Sequence, residues 1–356
     1  MTMCMTTKQV QSLLLSPAQA VEAYAVCNTP YFRITDPDNS HMSVGKPIYE
    51  AAPDEFSKHT QHQLRRAHQL MRKFLGAELF YVQPDNQLPD QVYTADIGMF
   101  HIKPDGEQVA VVANLRYRGG EEKYFKKLAH SLGATVVEMP DGVHWEGSGD
   151  TVAIRDPRTQ EIKCYLMGCG PRSDPRAAEV LSAAWGVTVH PIPLNVADSK
   201  EHQAGFHIDT AVMQTGSESG HLVIHRPVVS AQGLNTIKSI VPEKLWIDLS
   251  DADAKAMGTN GVVMGKKILL HDWKNGVPDE VMQSIATRAG VPLAGFGLST
   301  EYKQTLADIG CDTRYVDLTT IILGGGSGKC GSNRISNAVS PAALQKWMAY
   351  RQLMRA

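Results

Sequence analysis

The hydrophobic and polar positions of the chain change period repeatedly, and one order of elements returns at a spacing of roughly 50 residues. Each unit combines two apolar strands joined by a turn, a segment with helical period, and a third apolar strand. The pattern predicts four such units, whose first strands start at Val92, Thr151, Ile208 and Gly261. A partial fifth unit starts at Thr319. Repetition on this scale predicts an α/β ring that closes on itself rather than an open sheet.

Outside these units the pattern assigns a few further elements. Residues 16–25 begin with Ser-Pro and predict a helix, whereas Tyr31–Tyr49 is rich in Asp, Asn, Pro and Ser and predicts a loop. Helical period returns over Phe56–Leu75 and over the segment Pro341–Arg355. In the fourth unit, the pattern predicts the strand Val291–Gly295 directly after the helix of that unit.

Composition narrows the class of protein. With 43% hydrophobic and 20% charged residues, a chain of 356 residues can bury a large core. The net charge of −2 and a pI near 6.7 give no reason to expect a nucleic-acid or membrane partner. No apolar run reaches the roughly 18 residues of a membrane span, and the N-terminus lacks a signal-peptide pattern. Six cysteines without a C-x-x-C pair predict neither disulfides nor a zinc site, so a cytoplasmic protein with reduced thiols is expected.

One stretch combines dense glycine with a candidate nucleophile. The apolar residues Ile321–Leu323, predicted as a strand, lead into four glycines within five residues, Gly324–Gly328, and then to Lys329 and Cys330. Such glycines permit positive φ and close approach of a ligand, and Lys329 would favour the reactive thiolate of an accessible cysteine. The alternative is a buried, inert thiol in a Gly-rich turn, which is the commoner state of a single cysteine.

Acidic and histidine residues recur near the starts of the units. They are Asp96, Glu146, His207 and Asp209, and the partial fifth unit adds Cys330. Equivalent ends of the repeats meet at the axis of a ring, so we expect a nucleophile, a base, an orienting acid and two further carboxylates to lie together. Two carboxylates beside a cysteine predict a cationic substrate, and a planar guanidinium suits them best. Each residue alone has a structural alternative, such as a turn cap or a buried histidine, but their shared position in successive units favours function.

Four short motifs carry a resemblance to a known family. They are T-A-D at Thr94–Asp96, E-G-S-G-D at Glu146–Asp150, H-I-D-T at His207–Thr210 and G-K-C at Gly328–Cys330. In this order, over residues 35–335, the chain resembles the guanidino-group-modifying enzymes, which include arginine deiminases, dimethylargininases, arginine dihydrolases and amidinotransferases. The resemblance implies the α/β pentein fold, a five-bladed pseudo-symmetric propeller of ββαβ repeats.

The resemblance also implies a division of the chain into one catalytic domain, residues 1–356. The expected parts are a peripheral helix or leader over 1–30, repeats at approximately 31–90, 91–145, 146–205, 206–255 and 256–318, and a segment 319–356 that closes the ring.

Carried over residue by residue, the resemblance implies a role for each member of the set. Cys330 would be the nucleophile, His207 the general acid and base, and Glu146 the carboxylate that orients the histidine. Asp96 and Asp209 would hold the guanidinium. No metal and no organic cofactor are implied.

Two arginines and two departures from the family pattern bear on the substrate. Arg116 and Arg172 align with arginines that bind the substrate α-carboxylate in relatives acting on free amino acids, and the alternative for both is ordinary solvated surface. The arginine-dihydrolase branch, which cleaves the guanidine twice, has asparagine where Asp96 stands. The aspartate of this chain therefore favours a single cleavage. The N-terminal loop of that branch usually carries Asn-Pro, whereas this chain has Asp36-Pro37.

The resulting interpretation is a cysteine-dependent hydrolase of an arginine-like guanidino compound, of deiminase or dimethylargininase type, acting through a thiouronium intermediate. The alternatives are an amidinotransferase that passes the amidino group to an amine and an arginine dihydrolase that releases two ammonia. From other classes come a non-catalytic binding propeller and a metal-dependent hydrolase using His144, His202, His207 and His221. The expected partner is a small guanidino substrate, and a homo-oligomeric state is left open.

Overall fold

The computed structural model describes residues 22–196 and 205–355, and its strands form five three-stranded sheets. In every sheet the central strand pairs antiparallel with one neighbour and parallel with the other. A parallel pair needs a crossover, and helices supply it in each unit. The predicted fold class, an α/β ring of ββαβ repeats, is confirmed.

The strands lie as follows in chain order. They are β1 Ala23–Val26, β2 Glu78–Tyr81, β3 Gly98–Ile102, β4 Gln108–Val112, β5 Thr135–Glu138, β6 Thr151–Arg155, β7 Ile162–Cys169, β8 Val189–Pro193, β9 Val212–Gln214, β10 Leu222–Ile224, β11 Trp246–Asp248, β12 Val262–Met264, β13 Lys267–His271, β14 Asp312–Val316 and β15 Asn333–Arg334. Four sheets use consecutive strands, and the fifth has the order β15–β1–β2.

The helices are placed mainly in the crossovers. They are α1 Ser40–Ala51, α2 Pro53–Leu70, α3 Glu122–Ser131, α4 Ala177–Trp185, α5 Ala231–Ile240, α6 Asp251–Lys255, α7 Glu280–Ala289, α8 Thr300–Asp308, α9 Thr319–Leu323 and α10 Pro341–Arg355. A π-helical turn, Met71–Leu75, continues α2 as far as the left-handed Gly76.

The central strands are buried between the helices and the neighbouring sheets. β4 and β10 are buried at every position, which explains their continuous apolar sequences. Trp145, Trp185 and Tyr165 lie at 0%, 1% and 0% exposure in one core cluster, so large aromatic side chains fill the space between two successive sheets.

The helix predicted over residues 16–25 is wrong in its described part. Ala23–Val26 is the buried central strand β1, paired with β2 on one side and β15 on the other. Alanine favours helix, but pairing on both edges overrides that local preference. The segment 1–30 is therefore not peripheral over its described residues, since it supplies the middle of the closing sheet. Residues 1–21 lie outside the described structure.

The loop predicted over Tyr31–Tyr49 is also wrong in part. Helix α1 starts at Ser40, because the side chain of Asn39 accepts a hydrogen bond of 3.0 Å from the backbone N–H of Met42. Pro47 lies inside this helix, where it removes one backbone donor. The polar residues that indicated a loop thus include the N-cap of a helix.

Two further segments differ from their prediction. Val291–Gly295 is not a strand, and the parallel partner of β13 is β14, after the additional helix α8. Ile321–Leu323 belongs to α9, all of whose residues are buried. A short apolar run reads the same for a buried strand and a buried helix, so periodicity could not separate them.

Membrane crossing requires a long apolar helix. Over residues 22–196 and 205–355, no helix has both the length and the apolar character for it.

Candidate active site

The residues near the starts of the units converge on one buried pocket. Asp96, His207, Cys330 and Arg172 line it together. Of the other predicted site residues, Glu146 and Asp209 contact these side chains, whereas the side chain of Arg116 is exposed. The structure therefore brings together six of the seven predicted residues, and the exception is an arginine.

The glycines before the cysteine allow close packing. The chain leaves α9 through Gly324 and Gly325, whose φ is +96°. A Cβ at Gly326 would lie 2.8 Å from Cβ of Cys330, and one at Gly324 would overlap the hydroxyl of Tyr93. Only hydrogen fits at these positions, so the glycine density follows from packing against Tyr93 and the cysteine.

Asn260 holds the cysteine by three hydrogen bonds. Its Nδ2 donates to Sγ of Cys330 at 3.1 Å, and its Oδ1 accepts from the backbone N–H groups of Cys330 and Ser327, each at 3.1 Å. The side chain is fully buried at 0% exposure. Asn260 thus contacts both the sulfur and the loop that presents it. Sequence reasoning missed it, although it stands just before β12, where the other units carry their polar site residues.

A histidine and a glutamate form a buried pair beside the cysteine. Nε2 of His207 lies 2.7 Å from Oε2 of Glu146, and Nη1 of Arg172 donates to the same oxygen at 3.2 Å. Burial raises the pKa of Glu146, but Arg172 and His207 outweigh it and hold that pKa at about 2. Burial lowers the pKa of His207, but the charges of Asp150 and Asp96 and the bond to Glu146 raise it well above its ordinary value. The pair is therefore an imidazolium and a carboxylate.

Asp209 lies beside the sulfur. Its carboxylate oxygens are 3.6 Å and 3.8 Å from Sγ of Cys330, and Nζ of Lys329 is 3.7 Å from Oδ2. Burial raises the pKa of Asp209 to about 6, against the lowering by Lys329. A cation placed at this carboxylate would relieve the cost of its burial.

Asp96 approaches from the other side. Its Oδ2 accepts a 2.6 Å hydrogen bond from Nη1 of Arg118, and its Oδ1 lies 3.9 Å from Nδ1 of His207. Both Oδ1 and this Nδ1 are buried without a hydrogen-bond partner in the described part of the chain. A Cβ at Gly149 would overlap Oδ1, which accounts for the second glycine of the E-G-S-G-D motif.

Of the two alternatives that the sequence left for this thiol, the structure shows the buried one and not the accessible one activated by Lys329. Cys330 is 2% exposed, and burial, followed by the charge of Asp209, raises its pKa to about 11 despite the opposing contact with His207. Lys329 instead donates to the backbone carbonyl of Ser148 at 2.6 Å. Burial and the charge of Asp209 thus favour the protonated thiol over the thiolate in this pocket.

Known proteins are similar to this chain in sequence and in fold. No family model matches the chain. ArgZ, a bifunctional arginine dihydrolase/ornithine cyclodeaminase of Synechocystis, is 25% identical over 280 residues, which are 78% of this chain and 34% of ArgZ. The N(G),N(G)-dimethylarginine dimethylaminohydrolase of Mycobacterium tuberculosis is 26% identical over 309 residues, 86% of this chain and 83% of that enzyme. The chain therefore spans about a third of ArgZ and most of the mycobacterial enzyme.

The solved structures decide the fold. The product-bound N-terminal domain of ArgZ superposes with a TM-score of 0.72 at 22% identity, covering 90% of this chain and 100% of that domain. A dimethylarginine dimethylaminohydrolase adduct with S-methyl-L-thiocitrulline gives 0.60 at 14% identity, covering 88% and 99%. This chain has the pentein fold. A variant of the ArgZ domain has been solved covalently bonded to a reaction intermediate.

In this pentein, Arg118 rather than Arg116 reaches the pocket. Arg118 lies over the Tyr93 ring at 5.4 Å and bonds Glu121 through Nη2 at 2.6 Å, besides Asp96. Arg116 contributes its backbone N–H, which donates to Oε1 of Glu146 at 3.3 Å. The sequence offers both arginines two residues apart, and only the fold shows which one turns inward.

Asp90 is a further pocket residue of the pentein that sequence reasoning missed. It lines the pocket, and its Oδ1 is buried with no hydrogen-bond partner among residues 22–196 and 205–355. Burial raises its pKa to about 7, against the lowering by Arg118. Its place six residues before Asp96, in a Leu-Pro-Asp turn, was the available signal.

The histidines of the metal-hydrolase alternative do not assemble in the described pentein. Nδ1 of His144 lies 3.2 Å from the backbone oxygen of Asn114, and Nδ1 of His221 lies 3.1 Å from the Ser217 hydroxyl. His202 lies outside the described residues. Within those residues, the one group of three possible metal ligands contains none of them and consists of His59, Asp279 and Asp317.

Replacing Asn260 by alanine is expected to lower kcat about tenfold or more, because the sulfur loses a hydrogen bond and the loop loses its acceptor. The same change should raise the pH at which the thiol reacts with iodoacetamide, since an N–H donor stabilises the thiolate. Alkylation rates measured against pH check this. Asn195→Ala, which removes a side-chain bond to the backbone of Val229, is the matched control. An unchanged alkylation profile in Asn260→Ala would show that the amide does not act on the sulfur.

Proposed function

We propose that this pentein hydrolyses a C–N bond of an arginine-like guanidino compound through a thiouronium intermediate on Cys330. The observation that carries the proposal is the placement of the Cys330 sulfur against Asp209, and of His207 against Glu146, in one buried pocket. Two relatives, an arginine dihydrolase and a dimethylarginine dimethylaminohydrolase, support the same class of reaction.

Substrate binding prepares the nucleophile. A guanidinium between Asp96 and Asp209 would place its central carbon near the sulfur, since Asp209 is within 3.6 Å of Sγ. Its positive charge lowers the pKa of the thiol, which burial and Asp209 hold at about 11. The thiol proton leaves to solvent, and His207 keeps its own proton because its pKa is raised. The pocket then holds a thiolate, an imidazolium and the bound cation.

The thiolate attacks the central carbon, and a sulfur–carbon bond forms. Nδ1 of His207, which has no other partner and lies 3.9 Å from Asp96, faces the substrate and donates its proton to the departing nitrogen. The carbon–nitrogen bond breaks, ammonia or an alkylamine leaves, and a positively charged thiouronium remains on Cys330. His207 is now neutral.

Water completes the reaction. Neutral His207 takes a proton from water while the oxygen bonds to the central carbon. When the tetrahedral adduct collapses, the carbon–sulfur bond breaks and the hydroxyl proton passes to the leaving sulfur. The ureido product departs, and Cys330 returns as a thiol beside an imidazolium. Only side chains of this chain take part, so we propose no cofactor.

The rest of the pocket favours a substrate with the groups of a free amino acid. Arg172 is 3% exposed, lies over the Phe206 ring at 5.7 Å, and is paired with Asp38 at 3.0 Å, so a substrate carboxylate could replace that aspartate. The buried Oδ1 of Asp90 offers an acceptor to an ammonium group. A guanidine that also carries a carboxylate and an ammonium group would fit Arg172 and Asp90 as well as the two aspartates that hold the guanidinium.

Asp96 favours one cleavage rather than two. A carboxylate complements a guanidinium cation but not the neutral urea that forms after the first hydrolysis. Arginine dihydrolysis is the second candidate, because the ArgZ domain superposes better than the dimethylarginine enzyme, with TM-scores of 0.72 and 0.60. The two activities differ in product.

Product analysis tests the proposal. The purified chain is incubated with arginine, methylated arginines and agmatine, with and without an acceptor amine, and the products are identified by mass spectrometry. We expect a citrulline-type product and one equivalent of ammonia or alkylamine. Ornithine-type product with two ammonia would establish the dihydrolase, and an amidino group found on the added amine would establish the transferase. No turnover of any guanidine would refute the reaction class.

Arg172→Ala is expected to raise KM for a guanidine with a free carboxylate by about 10- to 100-fold, because a charge-assisted pair of roughly 1.5–3 kcal/mol is lost. The increase should be much smaller for the decarboxylated analogue. Steady-state kinetics on arginine and agmatine measure the difference. Arg116→Ala is the matched control, since that side chain is exposed, and it should change neither value. Equal losses on both substrates would assign Arg172 to the support of Glu146 alone.

Two further properties are the cellular location and the number of subunits. We propose a cytoplasmic location, because the six cysteines include no C-x-x-C pair and give no pattern of a disulfide framework. A sedimentation measurement would give the number of subunits in solution.

A further inference from the structure

A second cavity lies on the axis of the ring. Strands of all five sheets contribute to its wall, through residues such as Tyr24, Met99, Val152, Met213, Val262 and Arg334. Its volume is about 150 Å³. One water molecule needs roughly 10–15 Å³ of such space, so a small polyatomic ligand fits.

One wall of this cavity carries a cation that the surrounding carboxylates do not neutralise. Nη1 of Arg155 donates to the backbone carbonyls of Gln160 and Ala338, at 2.9 Å and 3.2 Å, and Nη2 donates to Oδ1 of Asn337 at 2.9 Å. These acceptors are uncharged, and no carboxylate pairs with Arg155 among residues 22–196 and 205–355. A guanidinium has five N–H donors, so two are left over.

The neighbouring acidic group is already committed. Glu22 forms a two-point ion pair with Arg334, through Nε at 2.8 Å and through Nη2, and it also accepts from the hydroxyl of Ser336. The two arginines and one glutamate therefore leave a net positive charge. Burial and the charge of Arg334 lower the pKa of Arg155 to about 10, which still leaves it charged at neutral pH.

An unpartnered hydroxyl lies on the same wall. Tyr24 is 3% exposed, lines the cavity, and is directly opposite Arg334 in the antiparallel pair of β1 and β15. Its hydroxyl is buried and has no hydrogen-bond partner within the described part of the chain. A buried hydroxyl without a hydrogen-bond partner and a partly buried cation without a paired anion are each costly, and one anion satisfies both.

We propose that the axial cavity is a binding site for a small oxyanion, a carboxylate or phosphate group held between the guanidinium of Arg155 and the hydroxyl of Tyr24. A planar guanidinium fork matches the paired oxygens of either group. The site is independent of the proposed reaction, because neither residue lines the pocket of Cys330. It adjoins that pocket, since Lys329 and Asp209 line the same cavity.

Thermal unfolding in matched buffers tests the site. Inorganic phosphate and acetate are added to the full chain, with sodium chloride at equal ionic strength as the reference. We expect one or both oxyanions to raise Tm beyond the chloride value, by mass action on the folded state. Tyr24→Phe should weaken the apparent affinity about tenfold, the effect of one lost charge-assisted hydrogen bond, and leave Tm without oxyanion unchanged. Arg155→Gln should abolish the shift.

Tyr302→Phe is the matched control for the hydroxyl deletion. That hydroxyl donates to the carbonyl of Gly258 at 2.7 Å and lies away from the cavity, so its loss should lower the basal Tm and keep the oxyanion shift. A shift no larger than that of chloride would overturn the proposal and leave a cavity filled by water. A full shift retained in Tyr24→Phe would overturn it as well. If only phosphate or only acetate acts, the site selects that oxyanion.

Discussion

Cys330→Ala is expected to abolish turnover, with kcat lowered by at least about 10⁴-fold, because the attacking atom is gone and no other thiol of residues 22–196 and 205–355 lines the pocket. Binding of the guanidine should persist, since Asp96 and Asp209 remain. Titration calorimetry with substrate measures the retained binding, and a coupled ammonia assay measures the lost turnover.

The control for this change is another buried thiol. Cys164 is 4% exposed in strand β7 and does not line the pocket of Cys330, so Cys164→Ala should keep kcat within a factor of about three. Denaturing mass spectrometry of wild type mixed with a slow substrate should show added mass on Cys330 alone. Activity within tenfold of wild type in Cys330→Ala would exclude covalent catalysis by this residue.

Glu146→Gln is expected to lower kcat by about 10³- to 10⁴-fold, the scale seen when the carboxylate that orients a catalytic histidine is neutralised. Glu146 accepts from Nε2 of His207 at 2.7 Å and helps to hold its pKa well above the ordinary value. Glutamine keeps the shape and loses the charge. Histidine then releases its proton at lower pH and is a neutral group for more of the working range.

The pH dependence of kcat/KM should shift in a definite direction in Glu146→Gln. A raised folded-state pKa keeps His207 protonated to higher pH, so the acid form is lost only as pH rises through that value. In Glu146→Gln the falling limb of kcat/KM should therefore move to lower pH. Asp174→Asn, at an exposed pair with Arg176, is the control and should leave the limb in place. A falling limb that stays put in Glu146→Gln would separate it from the titration of His207.

The predicted site residues came from repetition, and this is why most of them lie together. His207 and Cys330 stand at equivalent places in different units, and a ring brings such places to its axis whatever the details of each element. The fold class followed in the same way from the order of strands and helices. Local chemistry could therefore be anticipated without knowing any individual contact.

What sequence could not supply depends on direction and packing. Arg116 and Arg118 carry the same side chain, and only the turn after Leu115 decides which guanidinium faces inward. Asn260 is one amide among many until the fold places it 3.1 Å from the sulfur. The sequence left an accessible and a buried thiol as alternatives, and the structure shows that the glycines permit tight packing around a buried one.

The closing sheet also governs how the protein must fold. β15 pairs with β1 across about 310 residues of chain, and Cys330 lies only three residues before β15. Contacts that distant form late, because the entropy of closing so long a loop is lost before the pairing stabilises it. Four sheets can assemble locally while the nucleophile is still unplaced. In refolding, native-like secondary structure should therefore appear before enzymatic activity, and the interval between them measures the closure of the ring.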